Sequence, residues 1–415
     1  MSTAKRFKGY WWLPTNPECQ WFGNLKWQPG ESPQLKLLYR TVEEATAAPP
    51  RQAESILGLD GGGTPISVLR LGFKEGIRPE FLSEQKYIAG HALRGLHVTS
   101  KDGFRAHRFN AWLQYLGAWL REEGFAQSDS FKINYDRPPD RSFEIARGVT
   151  VHLCHYARAF ARNRERKVTY DIVFSMEKKH SFTWKQAYRS IDALIALLHF
   201  ACLKRVKSTG VTFENLDHTF AVGRKRYPKK IEVFNAGIAA PLNKNLHEND
   251  FVFMFHDIET RFTRFCADWL HFCIEQREAL ACYNFTVYFS LPDGLRLTSI
   301  TQALEAYHQR LYRPKSDVKF RERIKQLCNV QRQQIEKLVG DIEQFATVVT
   351  DSRDYYTHHH PSIRNRGTVA TGVKLTMLSY HLQFLFRICV LSQFGLERDR
   401  FGVLLRQIPN VIIEY

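Results

Sequence analysis

Period-2 alternation of apolar and polar residues dominates the first part of the chain. FGNLKWQ (Phe22 to Gln28) and QLKLLYR (Gln34 to Arg40), separated by the turn PGES, predict a hairpin, because successive strand side chains face opposite sides and Pro-Gly breaks the run. After an Ala- and Pro-containing connector over 41–51, SILGLD, GGGTP and ISVLRLGF repeat the strand, turn, strand pattern. EFLSEQKYIA (80–89) and KVTYDIVFSM (167–176) predict further strands, and FNAWLQYLGAWLREEG (109–124) predicts one helix.

From about Ser181 the apolar spacing lengthens towards 3.6 residues. SFTWKQAYRSIDALIALLHFACLK reads as an amphipathic helix opened by a Ser or Thr cap, and 259–281 as a second. NFTVYFSL (284–291) is the last predicted strand, followed by the turn PDGLR. Beyond it, helices over 300–312, 320–330, 331–360, 369–395 and 396–407 predict a bundle, interrupted at Pro361 and Gly367. The expected class is α+β. A β-rich, mixed N-terminal domain spans 1–293, and an all-α bundle spans 294–415.

Composition narrows the partners more than the fold. The 415 residues are 44% hydrophobic and 13% aromatic, enough for two or three cores and unlike a disordered tail. A net charge of +17 favours polyanions, either a nucleic acid or an anionic membrane surface. The start, MSTAKRFKGYWW, has no apolar run behind its charges, and ALIALLHFACL (193–203) falls short of the ~20 residues of a bilayer span. The chain therefore reads as soluble and cytoplasmic, with no membrane partner. Eight scattered cysteines form no CxxC pair, which predicts buried thiols in a reducing compartment and no metal site. No cofactor is expected.

Candidate chemistry concentrates in RDYYTHHHP, Arg353 to Pro361. Arginine offers a fixed fork of donors to a phosphate, and imidazole moves protons near neutral pH. Together, Arg353 and His358 suit metal-free RNA cleavage: the histidine as general acid-base, the arginine stabilising a pentacoordinate phosphate. Five positions on one helix turn the pair about 140° apart, so one copy makes half a site better than a closed dyad. Asp354, Tyr355 and Tyr356 fill the gap, the tyrosines able to pack or to stack on bases. The competing reading makes Arg353 a salt-bridging residue of the bundle and HHH a polar helix end. RGVTVH (147–152) and Arg264 with His271 show how readily such spacings arise. Glu305 reads first as a solvated carboxylate and second as an orienting partner for an arginine.

Two further features carry alternatives. LDGGGTP (59–65) resembles a phosphate hairpin of sugar kinases, but no second glycine-rich loop follows, and a tight glycine turn is the better reading. ARAFARNRERK (157–167) and GRKRYPKK (223–230) are basic runs with aromatic neighbours; Arg162, Arg164, Arg166, Lys167, Arg224, Lys225 and Arg226 are candidate RNA contacts, or solvated loops.

The order "helix, arginine, polar residue, three residues, histidine, turn, long apolar helix" resembles the HEPN family, and Asp354 fits its polar slot. FKGYWWLP (7–14), with WFGNLKW and a leucine-rich strand behind it, is similar to the N-terminal domain of ApeA-type abortive phage-infection proteins, which end in a HEPN domain with a Tyr-rich motif like RDYYTH. The resemblance implies an endoribonuclease that needs no metal, acts as a homodimer or higher oligomer, leaves a 2′,3′-cyclic phosphate, and arrests growth on a phage-derived trigger. It also implies a sensor or regulatory role for the N-terminal domain. Transfer RNA is a natural substrate under it. His359 and His360 also satisfy the family spacing, and RDYYTH favours His358. The alternative is a non-catalytic HEPN-like module that binds RNA or protein.

Overall fold

Six strands close into a ring. In the computed structural model, β1 (Lys5–Leu13), β2 (Asn16–Trp27) and β3 (Gln34–Tyr39) form a meander, helix α1 (Val42–Thr46) follows, and β4 (Gln52–Asp60), β5 (Pro65–Ile77) and β6 (Ser83–Arg94) complete the circuit. The pairing order β6-β3-β2-β1-β4-β5, with β5 pairing back to β6, makes a barrel in which every pair is antiparallel. The structure describes residues 3–396 apart from 40, 78–82, 122–124, 128–132, 136, 163–164, 224, 243–245, 314–316, 360–361 and 363–366. Leu35, Leu37 and Tyr39 alternate inward as their spacing predicts, and Trp11 and Trp21 are buried. Gly58 makes room for Trp11: a Cβ there would lie 2.4 Å from the indole.

At Ala92–Arg94 the ladder passes from the barrel to an open extension. Its strands are β7 (Arg105–Leu113), β10 (Arg141–Ala146), β11 (Val149–Arg162), β12 (Glu165–Thr183), β13 (Ser208–Val222) and β14 (Lys225–Phe234), ordered β10-β11-β12-β7-β13-β14. Helix α2 (Leu116–Leu120) and the small pair β8 (Phe125–Gln127) and β9 (Ile133–Tyr135) lie between β7 and β10 in sequence. Helix α3 (Trp184–Cys202) is opened by Thr183, whose hydroxyl accepts from the Gln186 amide while the Gln186 side chain accepts from the Thr183 amide.

Two expectations for this region fail. FNAWLQYL is not helical: Arg105–Leu113 is a central strand between β12 and β13, and among the described residues of 109–124 only Leu116–Leu120 is helix. A strand with burial on both faces reads as a continuous apolar run, which mimics a buried helix. The described residues of the basic runs, apart from the turn at Gly223, are strand and not loop. They lie on the β11–β12 and β13–β14 hairpins. Arg164 and Arg224 fall outside the described residues.

By compactness the chain divides into one unit of 1–195 and 206–246 and a second of 196–205 and 247–415. The division lies upstream of the boundary at 293 that periodicity suggested. The second unit holds α4 (Phe262–Glu275), α5 (Arg277–Tyr288), α6 (Asp293–Tyr312), α7 (Phe320–Cys328), α8 (Arg332–Val339), α9 (Ile342–His358) and α10 (Gly372–Gln393). NFTVYFSL is not a strand: Asn284 to Tyr288 end α5, and Phe289 is its extended cap. The buried positions of α5, Ala279, Leu280, Tyr283 and Thr286, repeat with helical period, and Tyr283 stacks on Phe386 at 4.7 Å. The expected single helices 259–281 and 331–360 are each two, divided at Gln276 and at Gly340, whose φ of 74° leaves Asp341 to cap α9 by accepting from the Gln344 amide at 2.7 Å. From Glu397 onward the expected last helix lies outside the described residues. Among the described residues α10 is the one helix long and apolar enough to cross a membrane, and 83% of that stretch is buried, as befits the central helix of a bundle.

Candidate active site

Helix α9 carries the arginine and the histidine to different surroundings. Its apolar positions Ile342, Phe345, Ala346, Val348 and Val349 are buried, which fixes the rotation of the helix. That rotation turns Arg353 towards α6 and α7. Its Nη2 donates to Glu305 Oε2 on α6 at 3.1 Å, its Nη1 to Asp354 Oδ1 at 3.2 Å, and its guanidinium lies 4.7 Å from the centre of the Phe320 ring. Arg353 is 29% exposed, so it is held yet reachable. Two of its five N–H donors are spent in these bonds.

His358 is the last residue of α9 and is exposed. The helix runs unbroken between them, so Arg353 and His358 point about 140° apart with about 7.5 Å of rise. His359 follows as the cap at φ 54°, its amide donating to the Tyr355 carbonyl at 2.6 Å and its ring 5.9 Å from that of Tyr355. That amide bond closes the last turn of the helix. His360 lies outside the described residues.

The segment after α9 folds back along it. Ser352 Oγ accepts from the Ala370 amide at 2.9 Å, Tyr356 donates its hydroxyl to the Ala370 carbonyl at 3.2 Å, and Thr368 bonds Asp351. Tyr356 also packs on α6 at Gly294, where an added Cβ would meet the ring at 2.8 Å. Tyr355 meets Tyr356 edge-on at 5.0 Å. Both tyrosines are therefore engaged within the bundle, and the end of α9 is fixed from two sides.

The structure corrects one assignment here: Glu305 is not simply solvated, because it forms the ion pair with Arg353. The distance in sequence between α6 and α9 carries no signal for it. Nothing local in the sequence points to Phe320 and Ala370 either, which hold Arg353 and Tyr356 from other elements.

Three buried histidines of the bundle are of a different kind. His199 and His381 are buried, and burial pushes both imidazoles down to about 4, His199 with help from the Arg387 guanidinium. His199 is locked between the Tyr283 hydroxyl at 3.0 Å and the Lys204 carbonyl at 2.7 Å. His308 is likewise lowered by burial, with Gln326 at 2.6 Å on Nε2. These rings are neutral packing groups, whereas His358 and His359 face solvent.

Neither decoy pairing resembles the Arg353 site. His152 contacts Ser142 at 2.8 Å on a strand, and Arg264 and His271 each face an exposed carboxylate one turn on, Asp268 and Glu275. The DGGGT turn is closed as well: the Gly62 and Thr64 amides donate to Asp60 Oδ1, the Gly61 amide to the Lys8 carbonyl and the Gly63 amide to the Asp60 carbonyl. Those amides are spent within the barrel, which removes the phosphate-hairpin reading. Among the described residues no group of three or more His, Cys, Asp and Glu side chains is placed to hold a metal ion.

The model described as ApeA N-terminal domain 1 matches residues 6–269, more than half of the chain. The chain belongs to the ApeA family. A second model, Apea-like HEPN, matches residues 298–400, which take in most of α6 and all of α7 to α10, and with them Glu305, Arg353 and His358. No curated protein and no solved structure matches the chain significantly. The two ApeA domains support an antiphage-defence HEPN protein, with RDYYTH inside the matched HEPN segment.

Proposed function

We propose that this ApeA-family chain is a metal-independent endoribonuclease that acts in the cytoplasm during abortive infection. One observation carries the reading: Arg353, half-buried and aimed by Glu305, Asp354 and Phe320, shares a rigid helix with the exposed His358. In the proposed reaction a ribose 2′-oxygen attacks the adjacent phosphorus while the 5′-oxygen leaves. His358 takes the 2′ proton, an imidazolium returns a proton to the 5′-oxygen, and Arg353 stabilises the charge on the pentacoordinate phosphate. The products are a 2′,3′-cyclic phosphate and a 5′-hydroxyl.

In-line displacement needs the base and the acid on opposite sides of phosphorus. The 140° divergence of Arg353 and His358, about one and a half turns apart, suits a groove completed by a second copy of the chain, so the active species in this reading is a homodimer or higher oligomer. Transfer RNA is the substrate to try first, and a phage-derived molecule is the trigger.

The test is to induce the wild-type chain and an Arg353→Ala, His358→Ala double variant and to map RNA ends. New 2′,3′-cyclic phosphate ends in the wild type alone support the proposal; equal toxicity and equal RNA patterns overturn it. The two carboxylates already on Arg353 favour a second reading, a non-catalytic module that binds RNA or protein. A native gel that shifts RNA which a denaturing gel shows intact would establish that one.

A further inference from the structure

The β13–β14 hairpin extends beyond the core it starts from. At its base Val211, Phe213, Ile231 and Val233 are buried. From Leu216 to Lys230 no described side chain is buried. The ladder nevertheless continues: after an irregularity between Asn215 and Thr219 the pairs Thr219↔Pro228, Phe220↔Tyr227, Ala221↔Arg226 and Val222↔Lys225 run to the turn. The result is a two-stranded ribbon in water.

Its side chains are sorted by face. Phe220 and Tyr227 are directly opposed, their rings 5.9 Å apart and tilted by 30°, and they are 47% and 43% exposed. Strand alternation puts Lys225 and Lys229 on the face of Tyr227, and Arg226 and Lys230 on the other. Between Leu216 and Lys230 the sequence has five basic residues and one carboxylate, Asp217. Exposed rings flanked by cations are complementary to a polyanion that also presents flat apolar surfaces. Pro228 removes a donor from the strand and the lysines charge it, which discourages pairing with another strand.

We propose that this ribbon binds single-stranded RNA, with bases stacking on Phe220 and Tyr227 and phosphates neutralised by Lys225 and Lys229. The proposal rests on RNA being the substrate and adds a recruitment surface distinct from the residues that cut. The β11–β12 hairpin does not extend the same surface. β12 and β13 are both antiparallel to β7, and β12 starts at its hairpin turn while β13 ends at its own, so the two basic tips lie at opposite ends of the sheet. On the order of 50 Å of strand path separates them.

The experiment uses full-length Arg353→Ala chain, so that binding is read without cutting, and fluorescein-labelled oligouridine followed by anisotropy across a series of salt concentrations. Phe220→Ala with Tyr227→Ala should weaken binding about tenfold or more, and Tyr227→Phe, which keeps the ring, should restore Tyr227→Ala. Lys225→Ala with Lys229→Ala should reduce the slope of log affinity against log salt by about 1.4, or about 0.7 per lost phosphate contact. Failure of the parent to bind, or variants with unchanged affinity and slope, overturns the proposal. Variants that alter only sedimentation also overturn it and assign the ribbon to a protein contact. Because no arm depends on cleavage, wild-type chain that binds through this ribbon yet leaves RNA intact refutes the nuclease reading and leaves this one standing.

Discussion

Two helices of the same bundle each carry an arginine followed by a histidine, and they show what spacing does not decide. On α4, Arg264 and His271 lie on one stripe, 90% and 72% exposed, each beside a carboxylate of its own helix. On α9, Arg353 and His358 diverge, and the arginine is gripped by groups from α6 and α7. Local pairs of the α4 kind contribute only about 0.3–0.5 kcal/mol and leave long side chains free to move. A guanidinium fixed by an acid and a ring from two other helices is preorganised, and preorganised charge is what a developing oxyanion can use.

The largest expected effects break this comparison directly. Arg353→Ala should lower RNA cleavage by about 10²–10³-fold, and His358→Ala by about 10²–10⁴-fold, in a gel assay with purified chain. Arg264→Ala and His271→Ala should leave the rate unchanged. Loss of cleavage in the α4 variants would place the chemistry elsewhere in the bundle.

The next effect sharpens the contrast between exposed and buried imidazoles. His199 and His381, with folded values near 4, bind protons less readily than in the unfolded chain, where an imidazole titrates near 6.5. Their contribution to stability is complete above about pH 6.5 and is lost as pH falls towards 4, at up to about 1.4 kcal/mol per pH unit for each group. Thermal melts followed by circular dichroism should therefore show stability falling from pH 7 to pH 5. His381→Leu should flatten that dependence, and His271→Ala should not.

Smaller again is the effect of the acid behind Arg353. Glu305→Ala should reduce cleavage about tenfold, the equivalent of about 1.4 kcal/mol of lost orientation, while Glu305→Gln, which keeps an acceptor, should retain most of the rate. Asp268→Ala, which strips Arg264 in the same way, should change nothing. Equal rates for Glu305→Ala and wild type would mean that Arg353 is positioned by Asp354 and Phe320 without it.

The same contrast explains which parts were legible in the sequence. β2 and β3 were, because alternation and a Pro-Gly turn are local signals. RDYYTH stands out in the sequence because its residues are neighbours there, and it lies within the matched HEPN segment. β7 was not legible, since a strand inside a sheet loses its alternation, and NFTVYFSL was not, because aromatic and β-branched residues resemble a strand until burial shows a helical period. Glu305 and Phe320 precede Arg353 by 48 and 33 positions, and only packing of α6 and α7 against α9 brings them to it. The motif is local in sequence; the groups that hold its arginine are brought to it by tertiary packing.

The smallest expected effect tests whether that shell reaches the end of α9. A Cβ at Gly294 would come within 2.8 Å of the Tyr356 ring, and Tyr356 is tied through its hydroxyl to the Ala370 carbonyl. Gly294→Ala therefore forces the ring, the helix end or the returning segment to move, at a cost of about 1–3 kcal/mol, against a gain of about 1 kcal/mol in helix propensity. The net is a modest fall in melting temperature. If the fixed end of α9 matters for His358, cleavage should drop a few-fold at temperatures well below that melt, and Tyr356→Phe, which removes only the hydroxyl, should drop it less. Undiminished cleavage in both variants would confine the functional shell to Arg353 and make the α9 terminus an ordinary helix end that happens to carry histidines.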